Sequence, residues 1–328
     1  MRVTNSMLVS NFMNNLHTNA NKMNKLQSQL ASGRKFAHIE DDPVSVIYSQ
    51  QARYKLTRLD HYSQNVSTAQ EWLTAAESNI RTMNDLIVSA YEACVDVSTD
   101  YKVDSDKQNV AAYLGQLRDE LVNTLNSSFG DKFLFAGYNT TGQLNSSDPK
   151  TMPFTVDAND ELCFCGVPIN DVNLNDPSTN LEKLRGDVLT FDVGAGIEMP
   201  ATMSGLDIVL YNLSDNDKNI FSAINDLYKD AKAGADAEQL ASHIPNLQAA
   251  QSHLLKLTAE IGGRTNRLDI LESRYSQDEI NYTQMKSDAE DMDFAEVIMN
   301  YKMAEAVYNA ALSAGASIIQ PTLMDFLR

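Results

Sequence analysis

The 328-residue sequence predicts a mainly α protein: an elongated rod of long antiparallel helices with an inserted β-rich domain. Three observations carry that expectation. Helical periodicity runs almost unbroken along both flanks, composition changes abruptly over 141–214, and the two ends carry opposite charge.

The N-terminal flank opens with residues 1–39, which contain Arg2, Lys22, Lys25, Arg34 and Lys35 and no acid, a net +5. An apolar stripe follows helical steps through Val9, Phe12, Leu16, Ala20, Met23, Leu26 and Leu30. Residues 44–93 then read as one near-continuous helix, with Ile47, Tyr54, Leu59, Tyr62, Val66, Leu73, Ile80, Leu86 and Val88 on its periodic positions. A further helix is predicted at about 104–128 from Val110, Tyr113, Leu117, Leu121 and Leu125.

The window 141–214 holds five of the eight prolines, two of the three cysteines, and 11 acids against three basic residues, a net −8. Short apolar bursts at Phe154–Val156, Leu162–Val167, Leu189–Val193 and Ile208–Leu213 alternate with Gly, Pro, Asn and Asp clusters, the pattern of strands and turns. Helical spacing resumes at Ile220, Ile224, Leu227 and Tyr228 and stops near Gly234. From Ala237 to Ile319 the pattern scarcely breaks. Leu268, Leu271, Tyr275, Tyr282, Met285, Ala289 and Met292 form a heptad seam there, with Asp278 as its charged exception. Eighty helical residues span about 120 Å, several times the diameter of a compact domain.

Lone helices cannot bury such stripes, so they must pair. Residues 288–328 carry seven acids against Lys302 and Arg328, a net −5, with apolar positions at Ala295, Ile298, Tyr301, Tyr308, Leu312 and Ile319. Opposite charge and matching seams predict that the two ends lie side by side, within one molecule or across an assembly.

Several function classes are disfavoured. A net charge of −18 lacks the basic footprint of a nucleic-acid binder, and no apolar run reaches the roughly 18 residues of a membrane span. Three cysteines are too few for a disulfide framework, and polar residues interrupt the apolar stretch that a cleaved secretory signal needs. No Gly-rich phosphate loop, HExxH or GxSxG is present, and His17, His38, His61, His243 and His253 share no helix face. No enzyme activity and no cofactor are expected. Cys163 and Cys165, if both on a strand, share a face and reach a metal; without a third ligand nearby, they read as small buried hydrophobes, as does Cys94. Glu40-Asp41-Asp42-Pro43 is either a divalent-ion chelator or, more simply, a helix start, with Asp42 as the cap and Pro43 as first helical residue. Asp288, Glu290, Asp291 and Asp293 read as a solvated or subunit-facing surface.

The run Gln29-Leu30-Ala31-Ser32-Gly33-Arg34-Lys35 followed by Asp41-Asp42-Pro43 resembles the N-terminal signature of the flagellin superfamily. Asn266-Arg267-Leu268, Asp291-Met292-Asp293-Phe294-Ala295-Glu296 and Leu323-Met324-Asp325-Phe326-Leu327 resemble its C-terminal end. Between the filament flagellins and the hook–filament junction proteins of that superfamily, Phe133-Leu134-Phe135-Ala136-Gly137-Tyr138-Asn139-Thr140-Thr141 resembles the junction branch. Thr82 and Asn84 stand where filament flagellins carry the arginines of a receptor-recognised patch.

The resemblance implies a flagellin-like coiled-coil bundle in three parts. Residues 1–42 plus 286–328 form a terminal helical pair, the inner assembly domain. Residues 43–140 plus 215–285 form a helical shaft, and 141–214 an outer β-rich domain. It further implies a structural adaptor at the outside of the cell, exported through the flagellar channel without a cleaved signal. Its implied partners are the preceding hook-associated protein, flagellin, a ring of like subunits and an export chaperone, with no nucleic acid and no membrane. The expected assembly stripe is Phe12, Leu16, Met23, Leu26 and Leu30 against Ile298, Tyr301, Tyr308, Leu312 and Ile319. Seven Asn among the first 24 residues leave the N-terminal helix little to offset its ordering entropy alone, so the ends are expected to fold together on assembly.

Overall fold

The computed structural model describes residues 5–98, 104–137, 152–169, 188–211 and 218–319. Among them the fold is mainly α, with three small antiparallel sheets. The chain divides into two compact units. One comprises Met1–Asp60 and Ser276–Arg328, the other His61–Tyr275.

Local chemistry sets the ends of the long helices. Helix α1 (Asn5–Ser32) stops at Gly33, whose φ of 73° is a left-handed cap conformation that glycine adopts without steric cost. Helix α2 (Pro43–Val97) begins on a proline, whose missing amide would have been an orphan in the first turn. Helix α3 (Asp104–Leu125) leads into a hairpin of β1 (Ser128–Phe129) and β2 (Lys132–Phe133), turning at Gly130 with φ 61°. The periodicity alone does not reveal this hairpin, because its strands are only two residues long.

In the second unit, β3 (Phe154–Val156), β4 (Leu162–Phe164) and β5 (Val167–Pro168) form one sheet, with Phe154 opposite Phe164 and Val156 opposite Leu162. β6 (Thr190–Gly194) and β7 (Ile197–Pro200) form a separate hairpin with a register shift between Asp192 and Gly194. Three of the four apolar bursts in the insert are therefore strands. The fourth is not. Ile208–Leu213 overlaps a short helix, α4 (Gly205–Val209), and 212–213 lie outside the described residues. All of Leu206, Ile208 and Val209 are buried, which a helical turn in a core achieves and an alternating strand does not.

Gly205 makes that turn possible. A Cβ there would meet the Phe135 carbonyl oxygen at 2.6 Å and overlap the Phe154 ring. Gly205→Ala is expected to destabilise the second unit by about 2 kcal/mol through overpacking. Thermal unfolding checks this, since a melting temperature equal to the parent's would show that the carbonyl yields freely.

Cys163 sits on β4, but Cys165 does not. Cys165 and Gly166 have φ of 52° and 83°, the positive values at both centres of a tight two-residue hairpin turn. The two thiols thus do not alternate along a strand as the sequence spacing implies. Both are buried and unbridged, and desolvation and nearby acids push the Cys163 thiol up.

Two asparagines tie the insert to the helices of its own unit. Asn126 donates to the Phe154 carbonyl (2.8 Å) and accepts from the Phe154 amide (2.9 Å), replacing a missing strand neighbour. Asn225 donates to the Asp160 carbonyl at 2.9 Å and accepts from Arg118 at 3.3 Å. Asn225 belongs to α5 (Ile220–Ala233), bounded by a reciprocal Asn219/Ser222 capping box and by Gly234 at φ 75°.

The remaining helices are α6 (Ala237–Ala241), α7 (Ile244–Glu290) and α8 (Phe294–Ile319). The expectation of one scarcely broken pattern from Ala237 to Ile319 is therefore corrected at 242–243 and, more consequentially, at 291–293. At the second break Asp293 Oδ1 accepts from the amides of Ala295 (2.9 Å) and Glu296 (3.3 Å), starting a new helix. The Asp-x-x-Glu spacing of Asp293 and Glu296 is a capping signature that apolar periodicity overrides.

Candidate assembly site

Within the first unit α1 and α8 pack side by side and antiparallel. At one end the Met292 amide donates to the Gly33 carbonyl at 3.2 Å; at the other the Phe12 ring abuts Gly315. On α1, Leu26 is buried and Phe12, Leu16, Met23 and Leu30 are half-buried. On α8 Val297, Tyr301, Ala304, Tyr308, Ala311 and Gly315 are covered in alternating steps of four and three, with Asn300 and Glu305 part-covered beside them. Tyr301 and Tyr308 lie on this seam. Ile298 and Leu312 stand one position off it and are 48% and 44% exposed. Ile319 ends α8, and its side chain lies outside the described residues. The seam includes small residues at Ala304, Ala311 and Gly315, and at Gly315 the missing side chain makes room for the Phe12 ring. A search for bulky apolar residues passes over them.

The turn after α1 closes on the end of α7 around one carboxylate. Glu290 is only 2% exposed. Its Oε1 accepts from Ser49 Oγ (2.5 Å) and Arg53 Nε (2.5 Å), and its Oε2 from Arg53 Nη2 (2.7 Å). Arg34 Nε stands 3.8 Å away. The Glu290 carbonyl accepts from the Lys35 amide at 2.7 Å, and Lys35 Nζ donates to the Asp288 carbonyl at 2.7 Å. The fork-shaped Arg53 guanidinium matches both oxygens. Bonded directly to it, Glu290 is held at about 2, below its ordinary 4.5, although burial opposes ionisation; Arg53 is raised in return. Sequence reasoning places Glu290 on a solvated or subunit-facing surface, and the structure corrects that: it is buried against partners 237 and 241 residues away in its own chain.

The acidic run before α2 divides its work. Asp42 Oδ1 accepts from the Ser45 amide at 3.1 Å and Oδ2 from the Ser45 hydroxyl at 2.6 Å, with Pro43 as the first residue of α2. The Ser45 bonds lower Asp42. Asp41 faces the other way. It pairs with Lys25 at 2.8 Å and accepts from the amides of Ala37 and His38 at 3.1 and 3.2 Å, which brings it down to about 2, chiefly through Lys25. The two neighbouring carboxylates are thus consumed in folding one turn. Among the described residues no three His, Cys, Asp or Glu side chains gather to hold a metal ion. No described helix is long and apolar enough to cross a membrane.

Residues 3–140, carrying α1, the Gly33–Asp42 turn, α2 and α3, match the bacterial flagellin N-terminal helical region. Beyond that segment, flagellar hook-associated protein 3 of Escherichia coli is 22% identical over 318 residues, covering 96% of both chains. The resemblance is to the hook-associated side of the flagellin superfamily. A Clostridium tyrobutyricum flagellin, at 21% identity, matches only 39% of this chain and 34% of its own. The crystal structure of the flagellar junction protein FlgL from Legionella pneumophila shares the fold, at 11% identity and a TM-score of 0.54, over 76% of this chain and all of its own.

Proposed function

We propose that this chain is a structural adaptor of the bacterial flagellum, joining the hook, through the preceding hook-associated protein, to the flagellin filament. The observation that carries this reading is the end-to-end similarity to hook-associated protein 3, insert included, where the flagellin match is partial. The protein acts outside the cell, delivered through the flagellar export channel with a chaperone's help and without a cleaved signal. Its chemistry is assembly rather than catalysis.

The α1–α8 pair forms when the subunit docks. Among the described side chains of these two helices only Leu26 and Gly315 are buried, while Met7, Met13, Ile298, Met299, Met303 and Val307 are left exposed. So small a shared core offsets little of the entropy of ordering two long helices. Neighbours in the assembly supply the rest, in a division of labour with 1–42 plus 286–328 innermost, 43–140 plus 215–285 as the shaft and 141–214 outward.

The test is reconstitution. Purified hooks capped with the preceding hook-associated protein are incubated with this protein, then with flagellin, and imaged by negative stain, with circular dichroism followed on the free protein. Filament growth only after this protein is added, and no polymer from it alone, is expected. Long filaments from the protein alone would make it a filament flagellin, the competing reading.

A further inference from the structure

Helix α7 carries Gly262 and Gly263 side by side, far from either end of its Ile244–Glu290 span. Interior glycines weaken a helix, because they lose the most backbone freedom on ordering. At Gly205 and Gly315 the fold excludes a side chain; at this pair it does not. A Cβ added at either position would meet no described atom within 4 Å beyond the adjoining helix backbone and chain neighbours, and neither glycine has a positive φ. Packing and backbone geometry leave both positions open to alanine.

The surrounding turn is loosely held. From Gly262 to Arg267 no side chain is buried, whereas Leu257, Ile261 and Leu268 on either side are. Along one flank lies a cavity of about 430 Å³, lined on α7 by His253, Leu257, Glu260 and Arg264 and across from it by Pro200 and Leu210. One side chain bridges the weak point. Arg264 Nη2 donates to Glu260 Oε1 at 2.6 Å, spanning the two glycines along the helix, and Nη1 donates to the Pro200 carbonyl at the end of β7 at 3.3 Å. Thr265 Oγ1 donates to the Ile261 carbonyl at 3.1 Å, so that acceptor stays bonded when its helical amide partner withdraws.

We propose that Gly262–Gly263 is a bending point built into α7 and braced straight by Arg264. Glycine pairs are among the few places where helices kink sharply. The cavity leaves the turn room to move, and the buried anchors Ile261 and Leu268 confine the motion to the residues between them. Breaking the Arg264 bonds to Glu260 and Pro200 frees the bend. Its use rests on the adaptor reading: a subunit seated between unlike neighbours has to fit both, and one yielding turn does so without loosening the core.

Hydrogen exchange in the free full-length protein tests the bend. The amides of Arg264–Arg267, which bond across the glycines, are expected to exchange roughly tenfold faster than those of Leu254–Leu257. Gly262→Ala with Gly263→Ala should remove that difference, since each replacement favours the helix about fivefold. Arg264→Leu keeps helix propensity and should quicken exchange at these amides alone, where a general loss of packing would quicken Leu254–Leu257 as well. Spin labels at Leu255→Cys and Ile270→Cys, both exposed and about 22 Å apart along a straight helix, should report a second distance in the parent that the alanine pair abolishes; the native Cys94, Cys163 and Cys165 are buried. Uniform protection along α7, or a single sharp distance in the parent, overturns the bend. For its use in the joint, the alanine pair should load on capped hooks as the parent does yet lose most filament growth, and growth equal to the parent's overturns that use. Failure of the parent to load on hooks overturns the adaptor reading and leaves the bend to the exchange result.

Discussion

Replacing Glu290 with Ala is expected to cost the first unit about 3 kcal/mol, the low end of what breaking a buried ion pair costs, since Arg53 is half exposed and regains water. The loss exceeds that of an ordinary surface pair because three groups are orphaned together: the Arg53 fork, the Ser49 hydroxyl and the electrostatic anchor of Arg34. Hydrogen exchange at the Lys35 amide is the sharpest readout, as that amide bonds the Glu290 carbonyl. Backbone geometry survives in the variant only if the side chain is not what positions it, so protection equal to the parent's would refute the anchoring role.

The same residue fixes a pH dependence. Its folded value, about 2, lies below its ordinary 4.5, so the folded state binds the proton less readily than the unfolded chain. The stabilisation is fully present above about pH 4.5 and is lost as pH falls from there toward 2. Asp41, also held at about 2, and Asp42, lowered by Ser45, act in the same direction, so the acid transition of the parent is a sum. Glu290→Gln keeps the shape but removes the titration. Its stability between pH 5 and 2.5 should fall less steeply than the parent's, and an unchanged slope would assign the acid lability to Asp41 and Asp42 alone.

Residues that act on their own chain neighbours were legible in the sequence. Asp42 and Pro43 start α2, a helix stops at Gly234, and three apolar bursts of the insert are strands, each decided within about four residues of chain. Residues decided by distant partners were not. Nothing in the run Asp288–Asp293 distinguishes Glu290, since all four acids look equally solvated until Ser49 and Arg53 arrive from α2. Cys165 reads as strand from its neighbours, and only the turn forces its positive φ. The seam on α8 shows a subtler limit. Bulk identifies Ile298 and Leu312 as stripe residues, whereas the packed line includes Ala304, Ala311 and Gly315, and at Gly315 room for the Phe12 ring selects for the absence of a side chain.

That selection makes Gly315→Leu the substitution with the clearest expected effect on assembly. Even a single Cβ at 315 would overlap the outer edge of the Phe12 ring. Leucine is a far better helix former than glycine, by roughly 0.5–1 kcal/mol in a helix interior, so propensity alone predicts a more stable α8. Overpacking of a closed seam works against it by about 1–3 kcal/mol. The sign of the result therefore separates the two effects. If the α1–α8 pair is the docked form, the variant should keep or gain helix in the free protein yet load on capped hooks at least tenfold less well. Phe12→Ala removes the ring and leaves a gap beside Gly315. Combined with Gly315→Leu, the added branch fills that gap, and loading should recover beyond either single variant, a positive coupling that a double-mutant cycle measures. Additive losses in the double variant would mean that Phe12 and Gly315 meet different neighbours in the assembled joint, and that the pairing of α1 with α8 in one chain is not the form that docks.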